Sequence, residues 1–156
     1  MRANEQSARD LLDTAPVVMR FIRDQVRRRT TAGLSLPQFR TLSFLSRSNR
    51  PSLSTVAEYL GLSLPAMSRL VNGLVAGGLV GRQTVSNNRR QIALTVTARG
   101  RAVLEKVRGE VRRALANAMK NIPRANQETI QRAMHILRGV FDKPAVPDHP
   151  FEGAGL

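Results

Sequence analysis

The strongest constraint on the fold is a three-residue turn, Gly61-Leu62-Ser63, that separates two short helical segments. Ser52 is placed to cap the first helix, and Gly61 is placed to end it. Ser63 is placed to cap a second helix over residues 64–76, and the pair Gly77-Gly78 after it suits a left-handed C-cap. Two helices joined by such a tight turn predict a helix-turn-helix motif.

A β-hairpin is predicted directly after this motif. Residues 79–85 and 91–96 form short, partly β-branched runs, which is typical of strands. The segment between them, Ser86-Asn87-Asn88-Arg89-Arg90, is rich in turn-forming residues and ends in two arginines. A helix-turn-helix followed by a basic hairpin predicts a winged helix.

Amphipathic helices are predicted on both sides of the winged helix, because apolar residues recur there at steps of three and four. Pro16 lies inside the first pattern, so we expect it to begin a new helix or to kink a longer one. After a loop at residues 30–34, Ser35 and Gln38 form a capping box for a helix that runs to about Arg47. The apolar positions are Leu11, Ala15, Val18, Ile22 and Val26 in the first helix, Leu104, Val107, Val111, Leu115 and Ala118 in the helix that Thr97 caps, and Ile130, Met134, Leu137 and Phe141 in the last helix.

The predicted fold class is mainly α with a small β-hairpin wing, a winged helix-turn-helix flanked by dimerisation helices. The predicted divisions are an N-terminal dimerisation helix (1–33), a DNA-binding domain (34–99), C-terminal dimerisation helices (100–143) and a loose tail (144–156). The outer apolar stripes are too long for so small a central core to cover. An exposed apolar surface of that size predicts a homodimer.

The charge predicts a polyanionic partner. The chain has 25 basic and 11 acidic residues, a net charge of +14. The 46 residues between Glu58 and Glu105 contain no Asp or Glu, and they cover the predicted helix-turn-helix and hairpin. Of the basic residues, 22 are arginines, which suit bidentate contacts to phosphate and guanine. The charge therefore predicts a nucleic acid or, less often, an acidic membrane surface as the partner. Together with the predicted helix-turn-helix and hairpin, it predicts double-stranded DNA.

Several other classes of function are excluded or disfavoured by the residues present. With no cysteine and only His135 and His149, the chain has no pattern typical of a metal site. It also has no Gly-rich phosphate loop and no histidine near a plausible nucleophile, so we predict no enzyme and no cofactor. No apolar stretch is long enough to cross a membrane, and the start of the chain lacks the apolar region of a secretory signal, so a cytoplasmic protein is predicted.

A second basic cluster, Arg20 to Arg29, has two readings from sequence. It contains five arginines and a single acidic residue, Asp24. These arginines can contact a DNA backbone or can be the solvated side of a helix, and the sequence does not separate these readings.

Five segments in register resemble the MarR (multiple antibiotic resistance regulator) family of winged helix-turn-helix regulators. The resemblance as a whole covers residues 34–109, and the flanking helices agree with the family in layout only. The segments are Leu36-Pro37-Gln38-Phe39-Arg40, Thr55-Val56-Ala57-Glu58-Tyr59-Leu60-Gly61-Leu62-Ser63, Met67-Ser68-Arg69-Leu70-Val71, Gly78-Leu79-Val80 with the wing Asn88-Arg89-Arg90, and Val96-Thr97-Ala98-Arg99-Gly100. The resemblance implies a dimeric regulator that binds pseudo-palindromic DNA, with a possible small-molecule effector for which no ligand site is assigned.

The predicted DNA contacts divide between the second helix of the motif and the hairpin. In the helix, Met67, Leu70, Val71 and Leu74 define the inward face, so the opposite face enters a major groove. We expect Ser68 and Asn72 to read bases, and Ser63 to hold a phosphate at the positive end of the helix. Arg69 can read guanine or bind phosphate, and phosphate is favoured. The predicted DNA-binding residues are Ser63, Pro65, Ser68, Arg69, Asn72, Arg82, Asn88, Arg89 and Arg90.

The hairpin arginines take their roles partly from the resemblance. Arg90 aligns with the family's wing arginine and is expected in a minor groove, with Arg89 on phosphate. Arg82, at the base of the hairpin, is expected on the DNA backbone. The chain departs from the family at Asn88, where an acidic residue is usual, which predicts a wing that is either looser or more tolerant of DNA sequence. Gly73 lies inside the second helix of the motif, where glycine lowers helix stability by about 1 kcal/mol relative to alanine.

Two functions from different classes fit these features. The first is a sequence-specific dimeric transcriptional regulator, predicted to act as a repressor. The alternative is a sequence-indifferent architectural protein that binds DNA or RNA, which the arginine excess and the missing wing acid favour. Preference for the protein's own upstream DNA over random duplex separates them.

Overall fold

The computed structural model describes residues 2–29, 34–84 and 92–142 of the chain. Within these ranges it has six helices and one antiparallel pair of strands, in the predicted order. The elements are α1 (Ala3–Arg29), α2 (Leu36–Leu45), α3 (Leu53–Leu60), α4 (Leu64–Ala76), β1 (Val80–Thr84), β2 (Ile92–Val96), α5 (Ala98–Ala118) and α6 (Arg124–Phe141). The predicted tail 144–156, most of the loop at 30–34 and the tip of the hairpin lie outside the described residues.

The first helix passes through Pro16 without a break. Of the two outcomes expected at this residue, the start of a new helix is therefore wrong, and a single 27-residue helix forms. A proline inside a helix removes one donor to the preceding turn. The carbonyl left without that donor belongs to Leu12, whose residue is 74% exposed, so solvent can satisfy it.

Local capping explains where α2 begins and ends. Ser35 Oγ accepts from the Gln38 amide at 3.3 Å, and Gln38 Oε1 accepts from the Ser35 amide at 2.8 Å, which confirms the predicted capping box. The helix ends at Leu45, two residues before the predicted end. Beyond Leu45, the Ser43 carbonyl accepts from side chains in place of the Arg47 amide, which bonds to Phe44 instead. Ser46 Oγ and Arg47 Nε donate to this carbonyl oxygen at 2.9 and 3.2 Å.

The helix-turn-helix is α3, the turn and α4, with the predicted bounds. Ser52 Oγ accepts from the Thr55 amide at 3.2 Å, and Ser63 Oγ accepts from the Ala66 amide at 3.3 Å, so both serines cap as predicted. Gly61 has φ 68° and ψ 34°, a left-handed conformation that disfavours other residues. That conformation turns the chain sharply from α3 into α4.

One hydrophobic core joins the winged helix to the carboxyl half of α1 and the amino half of α5. Val26 from α1, Leu42 from α2, Met67 from α4, Leu94 from β2 and Leu104 from α5 are all less than 2% exposed. Because α4 and the hairpin both pack against this core, their relative positions are fixed. One side of each remains at the surface.

A tight junction fastens the base of the hairpin to the start of α5. Thr97 Oγ1 donates to the Gly78 carbonyl at 2.6 Å and accepts from the Gly100 amide at 3.0 Å. The Thr97 amide donates to the Leu79 carbonyl at 3.1 Å. A Cβ atom on Gly100 would lie 2.1 Å from that same carbonyl oxygen, so the approach requires glycine.

The outer helical ends leave the core. In α6 no residue is buried, and Ile136 and Phe141 are 64% and 66% exposed. The predicted stripe of α1 is buried at Val26, whereas Val18 is 43% exposed. No helix in the described ranges is both long and apolar enough to span a bilayer.

We predict that Gly100→Ala lowers the free energy of unfolding by about 1–3 kcal/mol or more, because the methyl group overlaps backbone that cannot rotate away. Gly109→Ala on the same helix is the matched control, since a Cβ there meets nothing within 4 Å. It should leave stability unchanged or raise it by up to about 1 kcal/mol. Denaturant unfolding measures both, and equal effects would refute the close approach.

Candidate nucleic-acid interface

The outer face of α4 lies at the surface, as predicted. Met67, Val71 and Leu74 are completely buried on the inner face. On the opposite side Pro65, Arg69 and Asn72 are exposed, and Ser68 is half-buried. The structure thus brings four of the predicted site residues onto one face. A single α-helix fits the width of the B-DNA major groove, so this face can be offered to base edges.

The amino end of α4 offers fewer donors than its position suggests. Pro65 has no amide hydrogen, and the Ala66 amide is taken by Ser63 Oγ. The amide of Leu64 and the hydroxyl hydrogen of Ser63 are left to donate. The first turn has no acidic residue to offset the helix dipole. The arrangement can bind one phosphate oxygen through Ser63 and Leu64, supported by the positive end of the helix.

A hydrogen bond joins the recognition helix to the hairpin. Arg82 pairs with Leu94 in the β1–β2 register, and Leu94 is 1% exposed. Directly opposed residues point to the same face of a hairpin, so the Arg82 stem starts on the side that faces the core. It extends past the core edge, and Nη2 donates to Asn72 Oδ1 on α4. Two of the predicted contact residues therefore bind each other.

A second hydrogen bond holds the other face of β1. Gln83 is opposite Ala93 in the register, and its Oε1 accepts from Arg50 Nη2 in the α2–α3 connection. Arg50 adopts φ 50°, which is uncommon for a residue with a side chain. The stem of the hairpin is thus tied to α4 on one face and to the α2–α3 connection on the other.

Arg50 and Gln83 were not among the predicted site residues. The sequence contains a signal that could have identified Gln83, because strand alternation places this residue on the face of β1 opposite Arg82. Arg50 lies in a turn-rich segment before Pro51, and nothing local indicates a partner 33 positions away.

An aromatic pair continues this surface along α2 and α3. The rings of Phe44 and Tyr59 stack with centroids 4.2 Å apart, and Arg47 Nη2 lies 3.5 Å from the Tyr59 hydroxyl. Phe44 is 3% exposed, whereas Tyr59 is 47% exposed. The pair therefore anchors an exposed arginine beside the helix-turn-helix.

Within the described ranges, the arginines of this surface form no ion pair with a carboxylate. The ion pairs in the described ranges join Arg23 to Asp24, Arg108 to Glu105, and Arg124 to Glu128, at 3.8, 3.6 and 3.2 Å. None involves an arginine from the acid-free stretch. Uncompensated guanidinium groups on one face create a positive potential that attracts phosphates.

The remaining predicted positions divide into two groups. Asn88, Arg89 and Arg90 lie outside the described residues, so their predicted contacts stay predictions. In the second basic cluster Arg20 and Arg27 are exposed on α1. Exposure agrees with both readings of that cluster, so both stay open.

In the described part of the chain no group of three His, Asp or Glu residues can hold a metal ion.

Comparison with known proteins agrees with this architecture. A sequence profile described as the MarR family matches residues 32–91. The HTH-type transcriptional repressor Rv2887 of Mycobacterium tuberculosis is 30% identical over 105 residues, which are 67% of this chain and 76% of that protein. An HTH-type transcriptional repressor of Mycobacterium bovis, Mb2911, matches with the same identity and coverage.

Solved structures share the fold along nearly the whole chain. Rv1404 of Mycobacterium tuberculosis superposes with a TM-score of 0.77 at 25% identity, covering 92% of this chain and 97% of that chain. A MarR family protein from Bacillus stearothermophilus gives a TM-score of 0.74 at 19% identity and covers 91% of this chain and 100% of that chain. The second likeness bears on the fold alone.

These matches confirm the predicted family and the mainly helical fold with a hairpin wing. They also confirm the prediction that the chain is not an enzyme, since the family consists of non-enzymatic regulators that bind DNA. The chain belongs to the MarR family of winged helix-turn-helix transcriptional regulators.

Proposed function

We propose that this chain is a cytoplasmic, dimeric repressor that binds a pseudo-palindromic site in double-stranded DNA. The observation that carries the proposal is the exposed face of α4, flanked by arginines that no carboxylate neutralises in the described ranges. Repression is supported by the curated relatives, which are named as repressors.

Each residue of the face has a proposed role. Ser68 and Asn72 contact base edges, and Pro65 packs against the groove wall. Arg69 and Ser63 bind phosphates, because most protein–DNA hydrogen bonds go to the backbone. Arg82 has five N–H donors, so it can bind Asn72 and still contact a phosphate. The proposed wing contacts are Arg90 in the minor groove, Arg89 on phosphate and Asn88 as a support for Arg90.

The proposed dimer is supported by the apolar surface that the outer helices leave uncovered. Ala8, Leu11, Leu12, Ala15, Pro16, Met19 and Phe141 line a groove between α1 and the end of α6. Leu12 and Phe141 in this groove are 74% and 66% exposed. A second copy would bury these side chains and would place two α4 helices on successive turns of one duplex, about 10 base pairs apart.

An effector that alters DNA affinity belongs to the proposal without an assigned site. The family resemblance implies that such a molecule would bind at the level of Phe39, Arg40 and Phe44 on α2, and none of these residues is assigned to a site. Phe44 is buried against Tyr59 and has a structural role. Phe39 is half-buried and Arg40 is exposed on α2.

Binding to the protein's own upstream DNA tests the proposed function. The repressor should prefer that duplex over random duplex by about 10³-fold or more, in gel shifts at fixed salt. Equal affinity for both would favour the architectural alternative, and preferential binding of RNA would exclude the proposal.

We predict that Arg69→Ala weakens binding to every duplex by a similar factor, about a hundredfold or more. Each dimer would lose two charge-assisted hydrogen bonds worth about 1.5–3 kcal/mol apiece. The slope of log affinity against log salt should fall by about two, one contact per protomer. Arg124→Ala on α6, whose side chain is 93% exposed, removes the same charge away from the site and should leave the slope unchanged. A selective loss at guanine-containing positions would instead assign Arg69 to base reading.

We predict that Ser63 variants separate helix capping from phosphate binding. Ser63→Ala should lower the free energy of unfolding by about 1 kcal/mol, because the cap is lost. Ser63→Asp should retain stability, since aspartate is also a good N-cap, but should weaken DNA binding by placing a carboxylate against phosphate. Thermal unfolding and gel shifts measure the two effects. Unchanged affinity in Ser63→Asp would show that no phosphate lies at this helix end.

We predict that Leu12→Glu converts the dimer to a monomer, because the interface would have to bury an unpaired charge. Sedimentation equilibrium measures the change. The matched control is Leu64→Glu, at another exposed leucine (51% exposed) on the face assigned to DNA, which should leave the dimer intact. A dimer that persists in Leu12→Glu would place the interface elsewhere.

A further inference from the structure

The hydrogen bond between Arg82 and Asn72 limits what Asn72 can recognise. Building on the proposed function, we propose that Asn72 reads the major groove mainly as a donor. Arg82 sets this preference by donating to the Asn72 carbonyl oxygen, which fixes the orientation of the amide and makes that oxygen a weaker acceptor for a base. Arg82 is then a positioning residue for specificity, in addition to any contact with phosphate.

The orientation of the Asn72 amide follows from the chemistry of its partner. A guanidinium group has five donors and no acceptor, so the side-chain atom that faces Arg82 must be Oδ1. The Nδ2 group therefore points away from Arg82. Asn72 is exposed on the outer face of α4, so its two N–H donors remain available to a ligand in front of that face.

The backbone around the pair holds the two side chains within reach of each other. The link from α4 to β1 is short and fully bonded, with the Gly78 amide on the Val75 carbonyl at 3.0 Å and the Leu79 amide on the Leu74 carbonyl at 2.9 Å. Buried Val80 then anchors the start of β1 in the core, two residues before Arg82. The residue spacing and the anchored strand aim Arg82 at the middle of α4.

The charge distribution leaves Arg82 without a stronger partner in the described ranges. The stretch from residue 59 to residue 104 has no Asp or Glu, and none of the ion pairs includes Arg82. The Asn72 carbonyl is therefore not in competition with a neighbouring carboxylate. A hydrogen bond from a charged donor is roughly twice as strong as one between neutral groups.

An asparagine that acts mainly as a donor distinguishes bases by their keto and amino groups. The usual contact of asparagine with adenine needs both atoms, the carbonyl to accept from N6 and the amide to donate to N7. Guanine O6 and N7 and thymine O4 can each accept from the Asn72 amide. Oδ1 keeps a second lone pair, but the positive charge of Arg82 beside it disfavours the amino hydrogens of adenine and cytosine, so adenine retains only the contact to N7. We infer a preference for guanine or thymine at the base that Asn72 contacts.

The test measures affinities for duplexes that carry each base pair in turn at every half-site position. Comparison with Asn72→Ala locates the position that Asn72 reads, where the variant loses base preference. At that position the unmodified protein should favour guanine or thymine. In Arg82→Met the carbonyl is freed, and relative affinity for adenine should rise about fivefold or more.

Three further variants make the outcome specific to the Arg82–Asn72 bond. Arg82→Lys keeps a donor and should restore the keto preference. Arg50→Met removes the matching bond on the other face of β1 and should leave base preference unchanged. Asn72→Asp keeps an acceptor for Arg82 but replaces both donors, so preference should move to the amino bases without loss of thermal stability.

The result is read from affinity ratios among bases, which a uniform loss of phosphate contacts does not change. An adenine preference in the unmodified protein, or base ratios unaltered in Arg82→Met, would overturn the inference while the DNA-binding function stands. A uniform loss of affinity in Asn72→Ala would also overturn it, because Asn72 would then contact phosphate. Failure to bind any duplex at low salt would defeat the proposed function itself.

Discussion

The close approach of α5 to the Leu79 carbonyl determines how the winged helix is assembled. Thr97 joins the end of α4 to the start of α5, and Gly100 removes the side chain that would hold them apart. The hairpin leaves this junction in a fixed direction, so β1 runs beside α4. The contact of Arg82 with Asn72 depends on that direction. The position of these two side chains therefore depends on the close approach of Gly100 to the Leu79 carbonyl.

The features that could be predicted from sequence are those that local chemistry decides. Ser35 and Ser63 each act on an amide three residues away, so their caps can be recognised without knowledge of the tertiary fold. Strand alternation predicts that Arg82 and Gln83 lie on opposite faces of β1. It cannot predict that they meet Asn72 and Arg50, because those contacts depend on how separate elements pack. The sequence also leaves two outcomes open at Pro16. The uninterrupted helix depends on the exposure of the Leu12 carbonyl, which is set by how the helices pack.

The outer helices of the single chain leave an apolar surface uncovered. The carboxyl half of α1 is held by the core at Val26, while its amino half and α6 present apolar side chains to the surroundings. Such a surface gains hydrophobic stabilisation only when something covers it. In the proposed dimer, stability would be coupled to association, since a covering partner that binds the folded state alone stabilises it by mass action. The relative placement of two α4 helices would then be set far from the DNA itself.

Charge and hydrogen bonding contribute differently to the proposed recognition. The arginine-rich surface attracts any phosphate backbone, because the Coulomb interaction does not depend on base sequence. Discrimination must come from the few groups that meet base edges, and the number of acceptors and donors among them decides what they can distinguish. An arginine that binds Asn72 Oδ1 weakens one acceptor in that small set. Because the stretch from residue 59 to residue 104 has arginines but no Asp or Glu, positive charge would then affect specificity as well as affinity, by determining which side-chain atoms accept hydrogen bonds from a base.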